Sequence, residues 1–343
     1  MQMIEKLPII GVPIGDPSGI GPEIAVKAAM MEEVRTIAHV KLIGPKEAFE
    51  QARSQFSFSY DNLDIHYIKG TGLGAFEYGK IQGNCGQAAY DSIFEAAELA
   101  KAGRIDAMAT TPINKESLRA ADINTIGHTE LLGEFTKTSN LMTLFQTNRL
   151  RVFFLTRHLS LLEACRSITY EKVLTGIMDT YRSMLLLGMR ESQIPGIAAD
   201  SEPFAVAGLN PHNGEHGLFG NEEEEFIRPA IIKAQEMGIP VVGPIPADSV
   251  FYQARIGKYS AVLSLYHDQG HIATKTYDFE RTISLTLGMP FLRTSVDHGT
   301  AFDIAGKGIA QYVSMEQAIR IAAEYARIYK KNYPAFKGEK EEI

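Results

Sequence analysis

Three histidines each follow, within a few residues, a short apolar segment that reads as a strand: His158, His212 and His267. Imidazoles at the ends of separate strands can converge on one divalent ion and leave coordination positions open for a substrate. One such histidine is more often a structural residue, but three in the same context favour a metal site. Zinc, magnesium, manganese and cobalt all remain open as the ion, because imidazole binds several metals.

A second group of residues suits an anion. His128 and Thr129 open a segment with helical character, where free backbone amides favour phosphate. Lys275 and Arg293 add cationic side chains to this group. Any one of these charges could simply be solvated, but a helix start combined with cations indicates a phosphate-binding site.

Two glycine-rich loops could approach a ligand closely. The loop at 15–23 has the glycine spacing G-x-x-x-G-x-G, which differs from the dinucleotide fingerprint G-x-G-x-x-G. A strand-to-helix turn without a ligand would explain this loop equally well. The loop at 297–308 combines small and polar residues, and such a backbone can wrap a flat ligand such as adenine, although a glycine-rich loop without a ligand would look similar.

Apolar and amphipathic segments alternate along the chain. The predicted strands are 7–12, 39–43, 105–109, 150–155, 204–208, 261–265 and 282–287, and the predicted helices are 22–33, 87–102, 170–187, 222–237 and 315–331. Strands that are apolar throughout and separated by helices indicate sheets covered on both faces. The predicted fold class is therefore α/β, with ligands expected beyond the carboxyl ends of the strands.

The composition limits the possible functions. The chain has 343 residues, a length typical of two domains, and 45% of them are hydrophobic. Its net charge of −7 argues against non-specific binding of nucleic acid. Cys85 and Cys165 are too few for a disulfide framework, which fits a reducing, cytoplasmic location. The sequence also predicts no targeting segment and no membrane span.

The motifs at 15–23, 127–130, 208–212, 266–270 and 293–301 are jointly specific. Together they resemble the PdxA family of NAD-dependent dehydrogenases, and the resemblance extends over nearly the whole chain. The first and last of these loops are also similar to those of isocitrate and isopropylmalate dehydrogenases. In that superfamily the last loop surrounds the adenosine of the cofactor.

The resemblance implies a domain organisation. We expect two α/β/α domains around a central cleft, as in isopropylmalate dehydrogenase. One discontinuous domain would comprise 1–130 plus 295–343, and the other, 131–294, would carry the metal and phosphate residues and the dimer interface. The resemblance further implies a homodimer whose metal ligands, His158, His212 and His267, come from both subunits.

The resemblance also implies roles for individual residues. Substrate phosphate would be bound by His128, Thr129, Lys275 and Arg293, and Lys115 and Asp248 would face the reaction as catalytic residues. The residues expected to bind NAD are His298, Gly299, Thr300, Ala301, Asp303 and Ile304. Ser284 would also belong to the phosphate site, where the pyridoxine-pathway enzymes carry an asparagine, and its shorter side chain offers a hydroxyl instead of an amide.

These expectations lead to one functional hypothesis with rivals. The hypothesis is metal-assisted oxidation of a secondary alcohol by NAD⁺ followed by decarboxylation. Local similarity favours 4-phospho-D-threonate or 4-phospho-D-erythronate as substrate, and 4-phosphooxy-L-threonine of pyridoxal phosphate biosynthesis is the alternative. A non-redox metal-dependent hydrolase or aldolase, and a phosphometabolite-binding protein without catalysis, are rivals from other classes.

Overall fold

The structure is a computed structural model that describes residues 6–70, 72–125, 127–139, 141–189 and 202–341. Strands and helices alternate through most of this length, so the predicted α/β class is confirmed. Over the described part of the chain, no helix combines the length and the apolar character needed to cross a bilayer.

The elements are numbered along the chain. The strands are β1 (Ile9–Pro13), β2 (His39–Pro45), β3 (Asp64–Ile68), β4 (Ala107–Thr110), β5 (Met142–Thr147), β6 (Leu150–Phe154), β7 (Phe204–Ala207), β8 (Val241–Ile245), β9 (Val262–Ser264), β10 (Ile283–Leu287) and β11 (Leu292–Val296). The helices are α1 (Gly21–Met30), α2 (Glu32–Arg35), α3 (Lys46–Phe56), α4 (Gly83–Lys101), α5 (Lys115–Ala120), α6 (His128–Thr136), α7 (Leu161–Arg166), α8 (Tyr170–Leu186), α9 (Arg228–Glu236), α10 (Ala247–Arg255), α11 (His267–Tyr277) and α12 (Val313–Glu341). A 3₁₀ segment, Pro211–Gly217, and a π-helical turn, Glu223–Ile227, complete the secondary structure.

The chain forms two compact units. The first comprises Met1–Leu141 and Ile283–Tyr333, and the second comprises Met142–Thr282 and Pro334–Ile343. The first unit is larger than the predicted 1–130 plus 295–343, because β10 pairs with β11, which in turn pairs with β4. Ser284 and Arg293 therefore lie in the first unit, not in the second as predicted.

Strands of the first unit follow the order β3-β2-β1-β4-β11-β10. All these pairs are parallel except β10 with β11, which is antiparallel. Strand β4 is buried along its whole length, which is expected when helices cover both faces of a parallel sheet. Its Met108 packs in an apolar cluster with Ile43, Ile93 and Leu132, so the core of this unit lies directly beneath the loops after β1 and β4.

Strands of the second unit follow the order β5-β6-β9-β7-β8. The pair β5 and β6 is antiparallel and the others are parallel, so β6, β9, β7 and β8 end at the same edge of the sheet. The core beneath them includes Phe145, Val152, Val250 and Val262. The three predicted metal histidines follow β6, β7 and β9, and this topology therefore places all three at one sheet edge.

Three of the predicted helices differ clearly from their predicted bounds, and the one predicted at 315–331 continues to Glu341 as α12. The helix predicted at 22–33 is interrupted, since α1 ends at Met30 and the short α2 starts at Glu32. The helix predicted at 222–237 begins as the π-helical turn and becomes regular only in α9. Glu223 in that turn is fully buried. The four consecutive glutamates at 222–225 would instead suggest a surface segment.

Candidate active site

Two of the predicted metal histidines line one cavity of the second unit. His158 follows β6, and His267 is the first residue of α11, directly after β9. The cavity has a volume of about 400 Å³ and is also lined by Arg157, Tyr266 and Asp268. Both imidazoles therefore face the same space, which also contains a cation and a carboxylate.

The geometry of His158 and His267 fits a shared metal ion. Their ring centroids lie 6.0 Å apart. Two imidazoles on one tetrahedral ion have centroids roughly 5 Å apart, so a small rotation of either ring would suffice. Asp268 Oδ1 lies 2.7 Å from His267 Nδ1, and this contact leaves Nε2 of His267 available as a ligand atom.

A fourth histidine, His271, supports His267 from one helical turn further along α11. The rings of His267 and His271 stack with their centroids 3.9 Å apart. The ring of Phe145 also packs against that of His271, with their centroids 4.2 Å apart. Burial, and then the neighbouring charges of His267 and Lys275, lower the pKa of His271 to about 4. His271 is therefore a neutral packing partner that fixes the ring of His267.

The third predicted ligand, His212, lies in a separate cavity of the same unit. That cavity has a volume of about 370 Å³ and is also lined by His216, Glu224 and Arg228. Within the described residues of one chain, no group of three or more histidine, cysteine or carboxylate side chains is arranged to hold a metal. The described part of the chain thus brings together two of the three predicted ligands.

The loop that carries His212 has an unusual backbone. Residues 212–216 all have positive φ values, among them His212 at 52° and Asn213 at 57°. Each non-glycine residue in this left-handed conformation costs about 1 kcal/mol or more, so the surrounding contacts must hold the loop in place. Glu223 does so through Oε1, which accepts hydrogen bonds from the backbone N–H groups of Leu209 and Asn210, both at 2.7 Å.

The predicted phosphate ligand Arg293 lies in β11 of the first unit and is almost fully buried. Its guanidinium donates from Nε and Nη2 to Thr110 Oγ1 at 3.0 and 2.8 Å, and from Nη1 to Thr286 Oγ1 at 3.0 Å. Within the described part of the chain, the charges of Glu130 and Asp297 act on it from beyond ion-pair distance. A buried guanidinium with only hydroxyl partners is poorly compensated, and its remaining N–H donors suit an anion.

His128 lies next to this cation. It is the first residue of α6, and its Nε2 atom is buried without a hydrogen-bond partner among the described residues. Burial, and then the positive charge of Arg293, hold the pKa of His128 well below its usual value. Thr129, the next residue of α6, is half-buried. His128 is thus a neutral imidazole with an unused nitrogen, beside a guanidinium that has no ion-pair partner among the described residues.

Two other predicted phosphate ligands, Ser284 and Lys275, lie in different units. Ser284 is in β10 of the first unit, opposite Ser295 of β11 in the antiparallel register. Lys275 is in α11 of the second unit, and its Nζ lies 5.6 Å from the ring centroid of Phe279. Their participation in one phosphate site stays a prediction.

The predicted cofactor loop packs against the first glycine-rich loop, both in the first unit. The backbone N–H of Ile20 donates to the carbonyl of Thr300 at 3.0 Å. A Cβ atom on Gly19 would come within 2.8 Å of the Thr300 side chain, so this close approach requires glycine. A Cβ atom on Gly299, by contrast, would meet nothing within 4 Å. The loop is therefore firmly held at Thr300 and open at Gly299.

Other residues of this loop differ in exposure. Asp303 is exposed, and His298, Ala301 and Ile304 are partly exposed. Ala301 has a φ of 44° and its carbonyl accepts hydrogen bonds from the backbone N–H groups of the residues at 304 and 305. The open space at Gly299 and the exposed polar groups beside it fit an adenosine ligand.

The two predicted catalytic residues are both exposed and stand in the first turns of helices. Lys115 begins α5, whose N-cap Asn114 accepts hydrogen bonds from two backbone N–H groups through its side chain. Asp248 is in the first turn of α10. Lys115 belongs to the first unit and Asp248 to the second.

Several residues of the site were not identified from the sequence. Arg157 and Asp268 are the sequence neighbours of His158 and His267, so they could have been predicted to line the same cavity. Thr110 ends an apolar strand and gave no signal that it would position a guanidinium. Asp16 is fully buried in the first loop, where Oδ1 accepts from Ser18 Oγ at 2.6 Å, and burial raises its pKa.

The chain matches proteins of known family over nearly its whole length. The family model described as pyridoxal phosphate biosynthetic protein PdxA matches residues 19–322. A relative from Fusobacterium nucleatum, named "Putative D-threonate 4-phosphate dehydrogenase", is 52% identical, with 94% of this chain and 98% of the relative covered.

Solved structures agree with this assignment. The 4-hydroxythreonine-4-phosphate dehydrogenase of Klebsiella pneumoniae is 35% identical with a TM-score of 0.81, covering 93% of this chain and 100% of that one. The enzyme with the same name from Burkholderia phymatum is 36% identical with a TM-score of 0.78, covering 94% and 99%. The chain therefore belongs to the PdxA family, as its motifs indicated.

Proposed function

We propose that this protein is an NAD-dependent, divalent-metal-dependent dehydrogenase that oxidises and decarboxylates a 4-phosphorylated 3-hydroxy four-carbon acid. The observation that carries the proposal is the buried Arg293 guanidinium beside Nε2 of His128: among the residues that the structure describes, the guanidinium bonds to hydroxyls only and Nε2 has no partner. Such a pair is costly to bury unless an anion binds to it. A substrate phosphate supplies that anion, and the names of the relatives fit this chemistry.

The phosphate contacts would position the substrate without taking part in the reaction. Arg293 can bind two phosphate oxygens through N–H donors that its bonds to Thr110 and Thr286 leave unused. Thr129 lies at the amino end of α6, where free backbone N–H groups favour an anion. Lys275 and Ser284 would complete the site from α11 and β10. Holding the phosphate fixes the hydroxyl-bearing carbon where oxidation occurs.

The metal would be held by His158, His267 and His212. A divalent ion bound there supplies Lewis-acid polarisation of the substrate hydroxyl and of the carbonyl formed from it. His158 and His267 line one cavity, whereas His212 lies in another, so we propose that His212 of a second copy completes the site in a homodimer. Exposed apolar side chains beside the first cavity, including Leu161 and Ile272, fit such an interface.

The remaining groups of this cavity would orient the carboxylate end of the substrate. Arg157 brings a cation that suits the C1 carboxylate, and Asp268 fixes His267. Lys115 and Asp248 would hold or move the proton that leaves the hydroxyl and the proton that returns to carbon. NAD⁺, which accepts the hydride, would bind with its adenosine along 298–304, where Gly299 leaves open space.

The substrate is proposed to be 4-phospho-D-threonate or 4-phospho-D-erythronate. The relatives with the higher identity carry the D-threonate name, whereas the solved structures at 35–36% identity carry the hydroxythreonine name. The role in pyridoxal phosphate biosynthesis is the alternative, and the cytoplasmic location stays a prediction.

A substrate panel tests the proposal. Purified protein with NAD⁺ and Mn²⁺, Zn²⁺, Mg²⁺ or Co²⁺ is offered 4-phospho-D-threonate, 4-phospho-D-erythronate and 4-phosphooxy-L-threonine, with unphosphorylated D-threonate as the control. We expect NADH and carbon dioxide in equal amounts from the two sugar acids and little from the control. NADH from none of the phosphorylated acids would refute the proposal, and product from the amino acid alone would favour the alternative.

A further inference from the structure

The side chain of Gln269 connects two of the segments that carry histidines. Gln269 is the third residue of α11, two positions after His267, and is buried. Its Oε1 accepts a hydrogen bond from the backbone N–H of Leu265 at 2.7 Å. Its Nε2 donates to the carbonyl of Gly208 at 2.8 Å. One amide therefore bridges the end of β9 to the start of the His212 loop.

These bonds continue the sheet beyond the point where its strands separate. Strands β7 and β9 are parallel, and their last register pair joins Val206 to Leu263. Gly208 and Leu265 each lie two residues further along their chains. There the backbones no longer bond to each other directly, and the Gln269 amide joins them instead.

The rest of the His212 loop is fixed from other sides. Buried Glu223 accepts from two backbone N–H groups of the loop, and Asn213 Nδ2 donates to the carbonyl of Pro244 at 2.8 Å. The backbone N–H of Gly208 donates to the carbonyl of Ile245 at 2.8 Å. These contacts hold the loop to β8 and to the π-helical turn. Gln269 adds the contact with α11, the helix that begins at His267.

We infer that Gln269 is a positioning residue that locks the His212 loop onto the amino end of α11. The inference rests on the proposed metal role of His212 and His267. Ligand imidazoles must be held within a fraction of an ångström, and residues that fix them commonly change metal affinity 10- to 100-fold. Gln269 touches neither histidine ring, so its effect acts through the backbone on both sides.

A matched pair of substitutions tests this inference. Gln269→Met removes both hydrogen bonds at similar side-chain volume. Gln235→Met is the control, because Gln235 Nε2 also donates to a backbone carbonyl at 2.8 Å, that of Val241. Val241 is the first residue of β8 and so lies at the opposite end of the parallel strands from the histidines. Full-length proteins are titrated with Co²⁺, whose visible absorption bands report the ligand geometry of the bound ion.

For Gln269→Met we expect Co²⁺ affinity to fall 10- to 100-fold, altered absorption bands and faster amide exchange at 209–213. We also expect kcat to fall while KM for the phosphorylated substrate changes little. Gln235→Met should match the wild type in all five quantities. A merely structural role would lower the yield of folded protein without changing the bands of the ion that does bind.

Gln269→Asn is the second variant, in case the methionine variant does not fold, since it keeps the amide on a shorter side chain. We expect an intermediate loss of Co²⁺ affinity. Wild-type affinity and bands in a folded Gln269 variant would overturn the inference and leave the proposed function intact. Absence of Co²⁺ binding in the wild type, or undiminished binding in His212→Ala, would overturn the proposed metal role and this inference with it.

Discussion

Arg293 and Thr110 are joined by two hydrogen bonds to a single hydroxyl. Nε and Nη2 of the guanidinium both donate to Thr110 Oγ1, at 3.0 and 2.8 Å, in the interior of the first unit. The paired strands β4 and β11 set this contact, because Thr110 stands opposite Ser295 in their parallel register. The plane of the guanidinium is thereby fixed before any anion binds, which reduces the entropy that phosphate binding would cost.

Thr110→Val should therefore raise KM for the phosphorylated substrate. Valine keeps the shape of threonine but removes the acceptor of both bonds. Hydrogen bonds to a charged group contribute about 1.5–3 kcal/mol, so we expect KM to rise roughly tenfold or more, with kcat changed much less. Thr180→Val is the control, since Thr180 is buried and its Oγ1 has no hydrogen-bond partner among the described residues. Steady-state kinetics in which kcat alone falls would contradict a positioning role for Thr110.

The buried charge of Arg293 predicts that its removal does not destabilise the protein without ligand, even though it weakens phosphate binding. Arg293→Met removes a buried cation that bonds only to hydroxyls, so the melting temperature without ligand should stay the same or rise. Inorganic phosphate should raise the melting temperature of the wild type and leave that of Arg293→Met unchanged. Thermal melts with and without phosphate, at constant ionic strength, measure both effects. An equal phosphate shift in the two proteins would place the anion site elsewhere.

His128 predicts a pH-dependent loss of stability in acid. Its pKa in the folded protein lies well below the value of about 6.5 expected for the unfolded chain. Below about pH 6.5 the unfolded state therefore binds a proton that the folded state does not, and stability falls as pH decreases toward the folded pKa. His128→Gln removes this contribution. Below pH 6.5 the free energy of unfolding should fall less steeply with decreasing pH for the variant than for the wild type. The same pH dependence of the unfolding free energy in both proteins would contradict this prediction.

A shared metal site predicts complementation between inactive variants. His158→Ala and His212→Ala should each lose activity. If His212 serves the partner's site, their mixed dimer contains one complete site, and random association restores roughly a quarter of wild-type activity. A mixture of His158→Ala and His267→Ala should stay inactive, because both changes lie on the same side of each site. Activity in the second mixture, or none in the first, would contradict the arrangement.

The sequence predicted the strands that precede the three histidines, because their apolar signals are clear. Strands β6, β7 and β9 are buried apolar segments, and the loops after parallel strands meet at one sheet edge. Which of these histidines share a cavity depends on how each loop turns after its strand. Asn213 and Gly214 do signal a turn here, but nothing in the sequence predicts that all five residues 212–216 are left-handed, since glutamate rarely adopts positive φ.

Strand β11 shows why other elements were missed. Its sequence includes Arg293, Thr294 and Ser295, which is atypical of a buried strand, yet every residue in it is buried. The burial is tolerated because tertiary contacts satisfy the polar groups, as when Thr294 Oγ1 donates to the carbonyl of Ala318 at 2.8 Å. Because β11 was not predicted, its pairing with β10 was not predicted either. The predicted range of the first unit therefore left out β10 and the start of β11.

The open space at Gly299 predicts a substitution that affects the cofactor and not the fold. A side chain at Gly299 would meet nothing within 4 Å, whereas one at Gly19 would collide with Thr300. Gly299→Leu should therefore keep the wild-type melting temperature and raise KM for NAD⁺ at least about tenfold, because the leucine fills the space proposed for adenosine. Gly19→Ala is the contrasting variant, in which the melting temperature should fall. An unchanged KM for NAD⁺ in Gly299→Leu would place the adenosine outside this loop.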